Sequence, residues 1–197
     1  MNALSKKSAE QWLALIAEEI PEKVKKILGS LHPPTNDELE RLPPVNLTNA
    51  GVYARLVTSR YPVPVASNRY LYVGSASKYG TGLQGRVNHH VRKGPERLVR
   101  DMRSRDLLAP GRFVTLMTMK MDSAEEEHVF DVRRTVTLAE AILTIWLGAL
   151  PSPGHHLPGL CPWGRQTLKY RAWSSHNPLE VDIMRPNNEM IEVSSVA

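Results

Sequence analysis

Two short alternating runs set the strongest limit on what this chain can become. Val52, Ala54 and Leu56 alternate with Tyr53, Arg55 and Val57, and Tyr70-Leu71-Tyr72-Val73 repeats the pattern. Between them lies only the loop from Thr58 to Asn68, with Pro62 and Pro64. Side chains alternate across a strand, so each run has two distinct faces. A parallel pair needs a long crossover, so runs this close are expected to fold back as an antiparallel hairpin. Such pairing turns Tyr53 and Tyr72 toward one face, beside Arg55. Arg112 to Lys120, rich in Thr, Val, Phe and Met, reads as a third strand.

Helices account for most of the rest. Residues 8–28 carry Trp12, Leu13, Ile16, Ile20, Val24, Ile27 and Leu28 at helical spacing. Ser8 with Gln11 opens that helix as a capping box, Pro21 is expected to kink it, and Gly29 stops it. Thr35 with Glu38 is a second capping box, starting a short helix that ends at Pro43-Pro44. Residues 1–45 thus form an accessory helical arm whose apolar stripe needs a partner, either its own domain or another protein. Residues 82–93 form a helix with Leu83, Val87 and Val91 as its buried stripe and Gly94 as its stop. Arg86 and His90, four apart, lie together along the edge of that stripe. Pro95 starts another helix to about Leu107. A short helix at Glu125-Glu126-Glu127 precedes a nearly wholly apolar one, Thr137 to Leu150. The expected organisation is an α/β (α+β) domain over 46–180, preceded by the arm and followed by a flexible tail, 181–197.

Charge is uneven. Residues 51–120 hold 13 Lys/Arg against 3 Asp/Glu, while the chain as a whole has a net charge of +5. A basic segment of this kind either attracts a polyanion or is simply a solvated surface. No apolar run approaches the ~20 residues of a membrane span, so no membrane partner is expected. One cysteine, Cys161, leaves no internal disulfide framework. The expected setting is intracellular and reducing, with nothing to favour nucleus over cytoplasm.

Five polar residues invite a chemical reading. Glu140 is a lone carboxylate in an apolar helix, and burying it costs free energy unless something pairs with it. Mg²⁺ takes one or two protein carboxylates and keeps several waters, which suits a single Glu. Equally, Thr137-Leu138-Ala139-Glu140 fits a capping box in which Glu140 folds onto the backbone. Arg86 suits bidentate phosphate binding or a plain surface position. His90 suits proton transfer or a structural hydrogen bond. Tyr53 and Tyr72 read as half-buried strand aromatics, or as phenols whose pKa neighbouring Arg55 and Arg86 would lower. Gly74 is expected to end its strand and let backbone approach the site.

Gly51-Val52-Tyr53, Tyr72-Val73-Gly74, Arg86, His90 and Glu140, in that order, resemble the GIY-YIG nuclease family over residues 48–150. The resemblance implies a small three-stranded antiparallel sheet flanked by helices, and a metal-dependent endonuclease that hydrolyses DNA phosphodiesters. It implies Mg²⁺ or Mn²⁺ held by Glu140. Tyr53 would be the general base, assisted by Tyr72 and His90, and Arg86 would steady the scissile phosphate. Asn177 is the best match to a late Asn of the family. Arg55, Lys78, Arg92, Lys93, Arg97 and Arg100 would line the DNA path, and the arm is a candidate site for a protein partner. Two departures are the longer, Pro-bearing loop between the tyrosine triplets and the enlarged basic segment 94–111. The alternative is a non-catalytic nucleic-acid-binding or interaction module on the same fold.

Overall fold

Capping sets where the N-terminal helices begin. Gln11 N–H donates to Ser8 Oγ, and Ser8 N–H donates to the Gln11 side chain at 2.7 Å, opening α1 (Ala9–Glu19). The same reciprocal pair, Thr35 and Glu38, opens α3 (Asn36–Glu40). The continuous kinked helix expected over 8–28 is instead two helices. Ile20, pushed out of the helical region by the proline after it, is extended at ψ 124°, and Pro21 becomes the cap of α2 (Glu22–Leu28). The computed structural model describes residues 7–59, 68–93, 111–150 and 157–174. The expected helix at 95–107, the prolines at 62 and 64, and Arg97, Arg100 and Asn177 lie outside them.

The hairpin forms as β1 (Ala50–Thr58) and β2 (Arg69–Ala76), antiparallel, with Tyr53 opposite Gly74 and Arg55 opposite Tyr72. β3 (Arg112–Met119) adds antiparallel to the other side of β1, with an irregularity between Val52 and Tyr53. The sheet has four strands rather than three. A two-residue strand, β4 (Arg171–Ala172), pairs parallel with β2, giving the order β3-β1-β2-β4.

Alternation along the strands divides the interior in two. Val52, Ala54, Leu56, Leu71, Val73, Val114 and Leu116 face a large cluster with α5 (Glu126–Trp146) and side chains of α1, α2 and α3. Tyr53, Val57, Tyr70, Tyr72 and Phe113 face the other way, onto Leu83 of α4 (Gly82–Lys93) and Trp173. α5 is one helix, where a short acidic helix and a separate apolar one were expected. Val129, Val132, Val136, Ala139 and Leu143 run down it at helical spacing, so nothing in the sequence interrupts it. No helix among the described residues is long and apolar enough to cross a membrane.

α4 is tied down at its start. Leu83 N–H donates to Asn49 O, and Gln84 N–H to Leu47 O, so two orphan donors of the first turn are met by the strand approach to β1. Gly82, at φ 42°, lies so close to the carbonyls of Thr48 and Asn49 that a Cβ has no room. The helix turns Leu83, Val87 and His90 inward, while Val91, expected in the buried stripe, is exposed.

Candidate functional site

Strand alternation and helix phase together bring four of the five polar residues to one face of the sheet. Tyr53 in β1 and Tyr72 in β2 have ring centroids 6.1 Å apart. The Tyr53 hydroxyl and His90 Nε2 share a hydrogen bond of 2.8 Å. Arg86, one turn before His90, is an exposed residue close enough to both phenols to pull their pKa values down. Gly74 makes this approach possible. A Cβ there would sit 2.6 Å from Tyr72 Cε1 and 2.8 Å from the Tyr53 hydroxyl oxygen. The strand does not end at Gly74, as expected, but runs on to Ala76. What the missing side chain admits is the pair of phenols.

Glu140 approaches from behind. Its helix covers the opposite face of the sheet, and Ser75, the residue after Gly74, turns toward it. Ser75 Oγ donates to Glu140 Oε2 at 2.5 Å. The capping-box alternative is overturned, because Thr137 and Glu140 sit deep inside α5 rather than at its start. The carboxylate and the phenols thus lie on either side of the Gly74–Ser75 end of β2. They are close enough for the acid's charge to raise both phenol pKa values and for Arg86 to lower the acid's.

Burial governs the protonation states. It pushes Glu140 up to about 7, against the lowering pull of Ser75 and Arg86. His90 is pushed down to about 3 by burial, then by the charges of Arg86 and Arg55, so the ring is neutral. Tyr53 is raised well above its ordinary value by burial and by Tyr72, and Tyr72 is raised by burial and by Glu140. Arg86 does lower both phenols, but the expectation that cations would win is not met. Loss of hydration outweighs a single guanidinium.

Arg55 has a different place from the one expected. It is 2% exposed and cannot line a DNA path. Its guanidinium lies 4.9 Å from the Phe113 ring centroid and 5.5 Å from that of Trp173, an aromatic cage that offsets part of the cost of burying a cation. Burial still lowers its pKa to about 10. Lys78 and Arg92 are exposed, as a surface contact requires. Lys93 closes α4, and only its backbone is described.

Four residues of this neighbourhood escaped the sequence reading. Phe113 stacks on His90 at 5.9 Å, and Trp173 meets Tyr72 edge-on at 6.0 Å. Ser174 Oγ accepts from Val73 N–H at 3.0 Å, fixing the edge of β2 one residue before Gly74. Ser75 holds the acid. The alternation of β2 carried the signal for Ser75, since it must face away from Tyr72. Nothing local marks the other three.

The donor set suits a hard cation with few protein ligands. Glu140 is the residue that would hold such a cation, since Mg²⁺ takes one or two protein carboxylates and keeps several waters. Among the described residues no three His, Cys, Asp or Glu gather. No family model, curated protein or solved structure matches this chain.

Proposed function

We propose that this chain is a divalent-metal-dependent endonuclease that hydrolyses DNA phosphodiester bonds at a GIY-YIG-type site. The observation that carries the reading is the gathering of Tyr53, Tyr72, Arg86 and His90 on one face of the sheet at the Gly74 end of β2, with Glu140 reaching the same end from the opposite face and coupled to them through its charge. Of the five, Arg86 alone is exposed, so an incoming phosphate meets it first. Its guanidinium moves from the phenol hydroxyls to the phosphate oxygens, where it stabilises charge building on phosphorus. That exchange frees the Tyr53 hydroxyl to orient water. Tyr53 takes a proton from the attacking water as its own passes to His90 Nε2, which is neutral and in hydrogen-bond contact. Tyr72 holds the second side of this phenol pair. Glu140 is the residue that would hold the cation, which supplies Lewis-acid stabilisation of the phosphoryl oxygens.

The test uses the purified full chain with Mg²⁺ or Mn²⁺ on plasmid, branched and single-stranded DNA. The expected result is cleavage that Glu140→Ala abolishes while DNA binding persists. Arg86→Ala should slow cleavage by about 10²–10³-fold. The second reading, a nucleic-acid-binding module without catalysis, is favoured by the raised phenols and the weakly basic His90. Binding without cleavage of any of these substrates would establish it.

A further inference from the structure

A basic concavity lies at the sheet edge, toward the opposite end of β2 from Gly74. It has a volume of about 510 Å³ and is lined by Tyr70, Arg165, Gln166, Tyr170 and Arg171 with short apolar neighbours. That size falls within the range of small-ligand sites, ~300–1,000 Å³. The short 3-10 turn Arg165–Thr167 brings Arg165 and Gln166 to it, and β4 brings Arg171.

Arg171 is held in place. Its Nη1 donates to the Tyr70 hydroxyl at 3.3 Å, and its guanidinium lies 5.8 Å from that ring's centroid. The Tyr170 hydroxyl donates to Leu147 O at 2.9 Å, so this residue offers the cavity a ring wall rather than a donor. No Asp or Glu lines the cavity, and among the described residues neither Arg165 nor Arg171 has an ion pair. Two guanidinium groups around one hollow repel each other until an anion sits between them. Their planar forks match phosphate oxygens, and the Gln166 amide adds a donor.

We propose that this cavity binds a backbone phosphate of the nucleic-acid strand whose scissile phosphate meets Arg86. The inference rests on the nucleic-acid reading above. Tyr70 lies four residues from Gly74 along β2, roughly 13 Å at about 3.3 Å per residue. A nucleic-acid strand a few nucleotides long can cover that length of β2. On the proposed reading the two sites contact one strand at separate phosphates.

The test measures binding of a labelled oligonucleotide to the full chain in EDTA, where no cleavage occurs, over a range of salt. Wild type is compared with Arg165→Ala/Arg171→Ala and with Gln166→Glu. The last changes an exposed side chain, adding a charge without removing core. The double variant should weaken binding alike for all sequences and reduce the slope of log K against log salt by about one per arginine. Gln166→Glu should weaken it by repulsion at unchanged melting temperature. Wild-type affinity and slope in both variants overturn the inference. So does a nucleoside monophosphate that binds wild type and not the double variant while oligonucleotide binding is untouched, since the ligand is then a free nucleotide. A chain that binds but never cuts, with arginine-dependent slopes, sinks the nuclease reading and upholds this one. A wild-type chain that binds no oligonucleotide overturns both.

Discussion

Gly74 shows how much a single missing methyl group holds. The space a Cβ would take is filled by Tyr72 Cε1 and the Tyr53 hydroxyl. Gly74→Ala must displace both rings, break the Tyr53–His90 hydrogen bond and, on the proposed reading, stop cleavage. Overpacking of this kind costs about 1–3 kcal/mol, to be read from urea unfolding. Glu140 makes a different demand, visible in pH. Its folded pKa of about 7 lies above its ordinary 4.5, so the folded chain binds more protons between those values. Stability from this group is full below the unfolded value and is lost as pH rises toward 7. The cost of keeping Glu140 ionised above pH 7 is on the order of 3 kcal/mol. Glu140→Gln should therefore gain on wild type steadily from pH 4.5 to 7 and level off above. His90 acts in the opposite sense, with stability present above its unfolded value and lost as pH falls toward 3. That contribution is common to both proteins and cancels in their difference, measured as thermal or urea midpoints across pH. Added Mg²⁺ should raise the wild-type midpoint more at pH 8 than at pH 6, because cation and proton compete for one carboxylate, and should leave Glu140→Gln unmoved.

At the scale of elements, β4 does more than its two residues suggest. It leads into Trp173, whose backbone N–H donates to Leu71 O at 2.9 Å and whose ring walls both Tyr72 and Arg55. Trp173→Ala should cost about 3–5 kcal/mol in urea unfolding, and Trp173→Phe distinctly less, because a ring remains to cover the guanidinium. This strand is also where sequence reading reached its limit. The hairpin, the third strand and both capping boxes were legible because alternation and cap spacing are local patterns. A two-residue parallel strand has no local pattern, since only the tertiary pairing of Tyr70 and Leu71 creates it. α4 was mis-phased for a related reason. Hydrophobicity selects Val91 for the interior, whereas Phe113 and the Tyr53 hydroxyl make a buried place for His90 instead. The site followed the same rule. Tyr53 and Tyr72 shared a face by alternation, but the cage around Arg55 is built from β3 and the segment after β4, far apart in the chain.

For the molecule as a whole, the question is whether the first 45 residues are separable. Ile16, Val24, Leu39 and Leu42 belong to the same buried cluster as Val52, Leu71 and Leu143. The indole N–H groups of Trp146 and Trp163 donate to the Leu28 and Ser30 carbonyls, and the Asn36 amide donates to Lys169 O. Pro43 O accepts from Thr115 N–H, and Val45 N–H donates to Phe113 O, so this segment also covers the outer edge of β3. Burying each of those four aliphatic side chains contributes roughly 1.5–3 kcal/mol, so together they rival the ~5–15 kcal/mol that keeps a domain folded. A chain beginning at Asn46 would bare the α1–α3 side of the core and leave a strand edge open to pair with other copies. It should therefore aggregate or bind hydrophobic dye, and lose the cooperative melt of the full chain. A truncated protein that stays monomeric by light scattering and melts in one sharp transition would show that the arm is a removable accessory. Its apolar stripe would then be available for a protein partner.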